Sequence, residues 1–106
     1  MPLTTKDLDE CRARMDELDL QLVRILNARA ACAEQIGRIK SGLGIDAYSP
    51  EREQQVLHNV TQNNPGPLSA DAVRRLFKRI INESRAVERV MMDRLSRDVR
   101  PPSKQS

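Results

Sequence analysis

The sequence is poor in aromatic residues, cysteine and histidine. It contains one Tyr, one Phe, no Trp, two Cys and one His. Stacking on nucleic-acid bases depends on aromatic side chains, so their scarcity argues against a single-strand nucleic-acid binder and predicts an aliphatic core. His58 stands alone, and no spacing typical of a metal-binding motif is present. We therefore expect no metal and no cofactor.

Long hydrophobic runs are also missing, and the charges are mixed in sign. No run approaches the roughly 18 apolar residues that cross a bilayer, and the polar start of the chain does not resemble a signal peptide. The 18 Lys and Arg residues are interleaved with 15 Asp and Glu, for a net charge of +3. This pattern suits a small acidic ligand better than a nucleic acid. We expect a cytoplasmic protein with reduced thiols at Cys11 and Cys32 and no membrane contact.

Apolar residues recur at helical spacing over residues 5–41, a stretch without proline. The residues that form this pattern are Leu8, Cys11, Met15, Leu18, Leu22, Ile25, Leu26, Ile36 and Ile39. One helix of this length would run roughly 55 Å, well beyond the diameter of a small domain. The rest of the chain is too short to cover it, so the pattern favours pairing with a second copy.

Turn and capping signals divide the remaining sequence into two further helices. Gly42 and Gly44 predict an end of the first helix near Ser41. Ser49 and Ser69 are the predicted N-caps of the second and third helices. The sequence thus predicts an all-α fold with helices over residues 5–41, 50–62 and 70–96, in one domain of residues 1–96 followed by a disordered tail of residues 97–106.

Two cations of the first helix are candidates for binding an anion. Arg29 and Lys40 are 11 residues apart, which brings them within roughly 20° of the same helix face. Arg12 lies about 25 Å from Arg29 along the axis and is rotated by roughly 100°. If Arg12 binds the same kind of ligand, it does so in another site, most simply that of a second copy of the chain. The same three residues also fit the description of solvated charges on a long helix.

The third helix carries a polar interruption in its apolar seam. That seam consists of Val73, Phe77, Ile80, Ser84, Val87 and Met91, and Glu88 lies one turn beyond Ser84 on nearly the same face. A carboxylate that borders a buried stripe normally has a partner, because an unpaired buried charge is unfavourable. A core serine bonded to a backbone carbonyl and a glutamate that reaches solvent would produce the same pattern.

Five segments together resemble the all-helical chorismate mutases. They are residues 15–19 (MDELD), 27–29 (NAR), 36–40 (IGRIK), 48–53 (YSPERE) and 76–85 (LFKRIINESR). The similarity extends over residues 8–90 and is specific through the order and spacing of the segments. It implies three helices per chain and an intertwined homodimer whose long first helices pair and whose two active sites contain residues of both chains.

The resemblance also implies an activity and a role for each candidate residue. The family converts chorismate to prephenate in phenylalanine and tyrosine biosynthesis, a unimolecular rearrangement that needs no nucleophile, metal or cofactor. Carried over residue by residue, Arg29 and Arg12 of the partner subunit would bind the substrate carboxylates. The other implied roles are a place in the same pocket for Arg52, donation to the ether oxygen for Lys40, acceptance from the substrate hydroxyl for Glu53, assistance at a carboxylate for Ser84, and completion of the ether-oxygen site for Glu88.

Two positions depart from the family's pattern. Gln is frequent in the family where this sequence has Glu88, and that position must donate a hydrogen bond, which a carboxyl group does only when protonated. We therefore expect activity to fall as pH rises. Ser49 stands where an acidic residue is common, and we assign it the structural role of a helix cap.

Other functions fit parts of the same pattern. Isochorismate-pyruvate lyases share the fold and a similar basic pocket, but tend to carry an apolar residue at the position of Glu53 and aromatic residues near that of Ser84. A non-catalytic helical partner-binding or regulatory module is a further alternative, including a subunit that forms a complex with another shikimate-pathway enzyme. A basic nucleic-acid-binding hairpin would show strongly salt-dependent binding. No separate regulatory domain is visible in the sequence.

Overall fold

A computed structural model of the protein describes residues 2–98. Within this range the chain forms three helices and no strand: α1 (Thr5–Leu43), α2 (Pro50–Gln62) and α3 (Ala70–Asp98). The predicted all-α class with a long N-terminal helix is therefore confirmed. Because α3 ends at Asp98, it includes the first two positions of the expected tail. Residues 99–106 of that tail lie outside the described residues.

The start of α1 is fixed by a reciprocal capping interaction. The backbone N–H of Thr4 donates to Asp7 Oδ2 at 2.7 Å, and the backbone N–H of Asp7 donates to Thr4 Oγ1 at 3.4 Å. These two bonds satisfy donors that have no partner within the helix. The cap also places the Asp7 carboxylate at the positive end of the helix dipole.

The predicted end of α1 near Ser41 is wrong by two residues, since the helix continues to Leu43. The reversal occurs at Gly44, whose φ of 68° lies in the left-handed region that favours glycine. The backbone N–H of Ile45 then donates to the carbonyl of Lys40 at 2.9 Å. This is the Schellman arrangement of a helix C-terminus, and it turns the chain back sharply towards α2.

Serine side chains cap the other two helices, as predicted. Ser49 Oγ accepts from the backbone N–H of Arg52 at 3.2 Å, and proline occupies the start of α2. Ser69 Oγ accepts from the backbone N–H of Ala72 at 3.1 Å at the start of α3. The caps define where α2 and α3 begin, and therefore which of their residues lie on the inner faces.

The chain divides into two compact units, and the first consists of residues 1–31. Its large apolar side chains on α1 are 36% to 64% exposed: Leu8, Met15, Leu18, Leu20, Leu22, Val23, Ile25 and Leu26. This agrees with the prediction that one chain is too short to cover its first helix. Charged residues interrupt the apolar ones, and across residues 2–98 no helix has the length and apolarity needed to cross a membrane.

The second unit begins at Cys32 and contains the end of α1 together with α2 and α3. Its buried residues are Ala33, Gly37, Leu57, Val73 and Met91. Helices α2 and α3 pack against each other. The end of α1 approaches α3 at Gly37, where an added Cβ would lie 2.9 Å from the Glu88 carbonyl oxygen and 3.2 Å from Met91 Cβ. Glycine at this position therefore permits a backbone contact that no larger residue allows.

The substitution Gly37→Ala tests this close approach. The new methyl group would force the end of α1 away from α3, which costs about 1–3 kcal/mol when a core is overpacked. The higher helix propensity of alanine offsets up to ~1 kcal/mol of this. We expect the free energy of unfolding, measured by urea denaturation, to fall by about 1–2 kcal/mol.

Gly42→Ala is the matched control because it lies in the same helix with nothing within 4 Å of the added Cβ. We expect it to leave stability unchanged or to raise it by up to ~1 kcal/mol. Equal losses in the two variants would contradict the close approach at Gly37.

Candidate active site

An ion pair between Lys40 and Glu88 joins the end of α1 to α3. Lys40 Nζ donates to Glu88 Oε1 at 2.8 Å, and the two side chains are only 19% and 12% exposed. Charges in such a partly buried position interact more strongly than charges in water. The prediction that a carboxylate beside the α3 seam has a partner is confirmed, and the partner is Lys40.

Lys40 also binds the connection between α1 and α2. Its Nζ donates to the carbonyl oxygen of Ala47 at 2.9 Å. An ammonium group carries three N–H donors, and within the described chain two of them bind Glu88 and Ala47. The third is available to an acceptor from outside the chain. The turn at Gly44 makes this geometry possible, because it returns the chain towards the last turn of α1.

A second ion pair links α2 to α3. Arg85 Nη2 donates to Glu53 Oε2 at 2.7 Å, with the two side chains 21% and 22% exposed. The guanidinium carbon of Arg85 also lies 4.5 Å from the centroid of the Tyr48 ring, within the range of a cation–π contact. Sequence reasoning did not single out Arg85 or Tyr48 as site residues. The only signal was a cation directly after Ser84 on the seam of α3.

The two ion pairs belong to one cluster because they hold neighbouring residues of the same loop. Ala47 binds Lys40, and Tyr48, the next residue, lies against Arg85. On α3, Arg85 and Glu88 are three residues apart and thus share a face. The loop between α1 and α2 is therefore held at consecutive residues by two different salt bridges.

The other predicted residues of the second unit lie near its surface. Ser84 is half-buried on α3, one turn before Glu88. Arg52 is exposed in the first turn of α2, and its Nη1 lies 3.4 Å from Gln55 Oε1. The adjacent Glu53 is turned towards Arg85 instead.

Arg12 and Arg29 belong to the first unit. Arg12 is exposed on α1, and Arg29 is half-buried on the same helix. Their predicted roles in anion binding stay predictions. The structure thus brings Lys40 and Glu88 into direct contact and ties Glu53 to a residue that the sequence reasoning had passed over.

The cluster is suited to stabilising negative charge on a bound oxygen. Lys40 offers an N–H donor in a partly buried position, and its orientation is already fixed by two hydrogen bonds. Preorganised donors of this kind stabilise charge that develops during a reaction without having to reorient. Among residues 2–98, no three His, Cys, Asp or Glu side chains gather in the manner of metal ligands.

Comparison with known proteins gives a consistent match. The model of the family described as chorismate mutase type II matches residues 11–89. The chain is 44% identical over 78 residues to a bifunctional chorismate mutase/prephenate dehydratase of Neisseria gonorrhoeae, covering 74% of this chain and 21% of that protein. It is 38% identical over 86 residues to a protein of the same name from Pseudomonas aeruginosa, covering 76% and 24%. The chain therefore spans less than a quarter of the length of these two relatives.

Shorter proteins and solved structures match over more of their length. A chorismate mutase of Methanocaldococcus jannaschii is 32% identical over 65 residues, which is 53% of this chain and 66% of that protein. Form II of a chorismate mutase from Thermus thermophilus superposes with a TM-score of 0.76 at 33% identity, over 77% of this chain and 93% of that chain. The structural match and the sequence matches thus indicate the same family.

Proposed function

The chain belongs to the chorismate mutase type II family, and from this we propose that it catalyses the rearrangement of chorismate to prephenate, a step towards phenylalanine and tyrosine. The observation that carries the proposal is the Lys40 ammonium group, held by Glu88 and Ala47 with one donor left for a ligand. The reaction is a unimolecular pericyclic rearrangement, so catalysis consists of holding a flexible dianion in its reactive conformer and stabilising charge on the ether oxygen.

Lys40 supplies the positive charge at the bond that breaks. As that bond lengthens, negative charge grows on the ether oxygen, and the remaining N–H of Lys40 donates to it. Even a rate enhancement of about a millionfold requires roughly 8 kcal/mol of transition-state stabilisation. Removing one preorganised donor from such a site costs about 100-fold or more in rate.

We assign completion of the ether-oxygen site to the protonated form of Glu88, in which the contact with Lys40 Nζ is a hydrogen bond rather than an ion pair. Its Oε1 already accepts from Lys40, so a proton on Oε2 gives the side chain a donor on its other oxygen. In this state the carboxyl group presents the same donor and acceptor pair as the amide of glutamine. The ionised form only accepts, and it would repel the oxygen on which negative charge develops.

The remaining residues bind and orient the substrate. We assign the two substrate carboxylates to Arg29 and to Arg12 of the partner subunit, since arginine grips carboxylates in two-point fashion. Arg52 adds positive charge at the same pocket. Ser84 assists at a carboxylate, and Glu53 accepts a hydrogen bond from the substrate hydroxyl.

A homodimer with two shared active sites is part of this proposal. Its support is the row of exposed apolar side chains on residues 8–26 of α1. Burying one Leu or Ile side chain fully contributes roughly 1.5–3 kcal/mol, so covering several of them with a second copy would stabilise the protein strongly. The exposed position of Arg12 on α1 is compatible with service in the partner's site.

The free cysteines support a cytoplasmic location for the protein. Cys11 and Cys32 are both free and exposed, which suits a reducing compartment such as the cytoplasm.

The bifunctional relatives are named for a prephenate dehydratase as well as a mutase. We include in the proposal a complex with another enzyme of the shikimate pathway.

The first test is the loss of chorismate and the identification of the product, from about pH 5 to about pH 9. We expect prephenate, and we expect Lys40→Ala to lower kcat/KM by about 100-fold or more. Lys78→Ala is the matched control, because Lys78 is an exposed lysine of α3, and its activity should stay unchanged. Release of pyruvate would indicate a lyase, and no turnover by a folded dimer would contradict the proposal.

The second test uses Glu88→Gln. A protonated carboxyl group donates and a carboxylate does not, so we expect wild-type activity to fall as pH rises. The glutamine variant keeps a donor at every pH, so its activity should be independent of pH over the same range. A variant whose pH profile matches that of the wild type would rule out this role for Glu88.

The third test asks whether two chains share each site. Arg12→Ala and Arg29→Ala should each be inactive alone, because every site in either homodimer lacks one arginine. In a mixed dimer, one of the two sites regains both arginines, so unfolding and refolding an equal mixture should restore about a quarter of wild-type activity. No recovery from verified mixed dimers would contradict the shared site.

A further inference from the structure

Glu53 has a partner within the chain. Its Oε2 accepts from Arg85 Nη2 at 2.7 Å, and both side chains are about four-fifths buried, with 22% and 21% exposure. Because Arg85 binds Oε2, Oε1 keeps its capacity to accept from a second donor. We propose that Arg85 is a positioning residue that aims Glu53 at the substrate hydroxyl and thereby sets the requirement for that hydroxyl. This inference rests on the proposed function.

The stack on Tyr48 makes Arg85 suitable for this task. Its guanidinium carbon lies 4.5 Å from the ring centroid, so the ring restricts the plane of the guanidinium group. A fixed guanidinium plane fixes the direction of its N–H bonds, and therefore the position of the carboxylate that accepts from them. A lysine at residue 85 would keep the charge but lose both the plane and the stack.

Arg85 also balances the charge of Glu53. The substrate carries two carboxylates, and an uncompensated glutamate in the same site would repel it. The guanidinium group offsets this repulsion and leaves the hydrogen-bonding capacity of Oε1 intact. Arg85 thus has two separable effects, neutralisation by its charge and orientation by its shape.

The two effects predict different results for two substitutions. Arg85→Met removes charge and orientation, so KM should rise and kcat should fall. Arg85→Lys keeps the charge, so its KM should stay close to that of the wild type while kcat falls. A merely structural role for Arg85 gives no reason for the lysine variant to separate KM from kcat in this way.

The decisive measurement compares chorismate with an analogue that lacks the ring hydroxyl. In the wild type, Glu53 disfavours the analogue because Oε1 loses the donor that the substrate hydroxyl supplies. In Arg85→Met, kcat/KM should fall far more for chorismate than for the analogue. Discrimination, which is the ratio of these two kcat/KM values, should therefore drop about tenfold. In a Glu53→Gln background, Arg85→Met should change discrimination little, because Arg85 acts through Glu53.

Arg79→Met is the matched control. Arg79 lies on the same helix and also pairs with a glutamate, Glu83, but both side chains are exposed, at 79% and 62%. Removing this pair should leave discrimination and turnover unchanged. Should Arg85→Met fail to fold, Tyr48→Leu and Tyr48→Phe provide the same test, since only the first removes the ring that fixes Arg85.

The possible results separate the two proposals. Lower discrimination in Arg85→Met or Tyr48→Leu, with Tyr48→Phe close to the wild type, supports the role of Arg85. If the wild-type protein converts chorismate but Arg85→Met and Tyr48→Leu leave discrimination unchanged, this inference is overturned and the proposed function still stands. A folded wild-type protein that does not convert chorismate overturns both.

Discussion

The site depends on how closely the end of α1 approaches α3. At Gly37 the gap to the backbone of Glu88 is so small that an added Cβ would lie 2.9 Å from its carbonyl oxygen and 3.1 Å from its Cα. Lys40 follows one turn later on the same face of α1, and from there its Nζ reaches Glu88 Oε1 at 2.8 Å. The missing side chain at Gly37 therefore permits the contact between Lys40 and Glu88 on which the proposed mechanism depends.

The local structure was largely predictable from the sequence, because it depends on residues that are close together along the chain. Ser49 and Ser69 marked helix starts through their capping chemistry, and both caps are present. The end of α1 was misjudged because Gly42 was treated as a helix breaker. A helix tolerates glycine at a modest cost, whereas the left-handed φ of 68° at Gly44 requires one.

The tertiary partners were predictable only in part. Helical spacing showed that Glu88 borders the apolar seam and needs a partner, but spacing within one helix cannot reveal which residue of another helix arrives there. The pairing of Glu53 with Arg85 spans 32 residues and depends on how α2 packs on α3. The carbonyl of Ala47 could not be found at all, because a backbone acceptor has no signature in the sequence.

The two connections between the helices are under different constraints on their length. In the loop of residues 44–49, the carbonyl of Ala47 binds Lys40 and the ring of the next residue, Tyr48, lies against Arg85. Lys40 and Arg85 belong to different salt bridges. One inserted or deleted residue would move one of these contacts out of register. The turn of residues 63–69 is held mainly by its own short-range bonds, such as that from Asn64 Nδ2 to the carbonyl of Leu68. Over evolutionary time, related sequences should therefore vary in length at the second connection and keep the first constant.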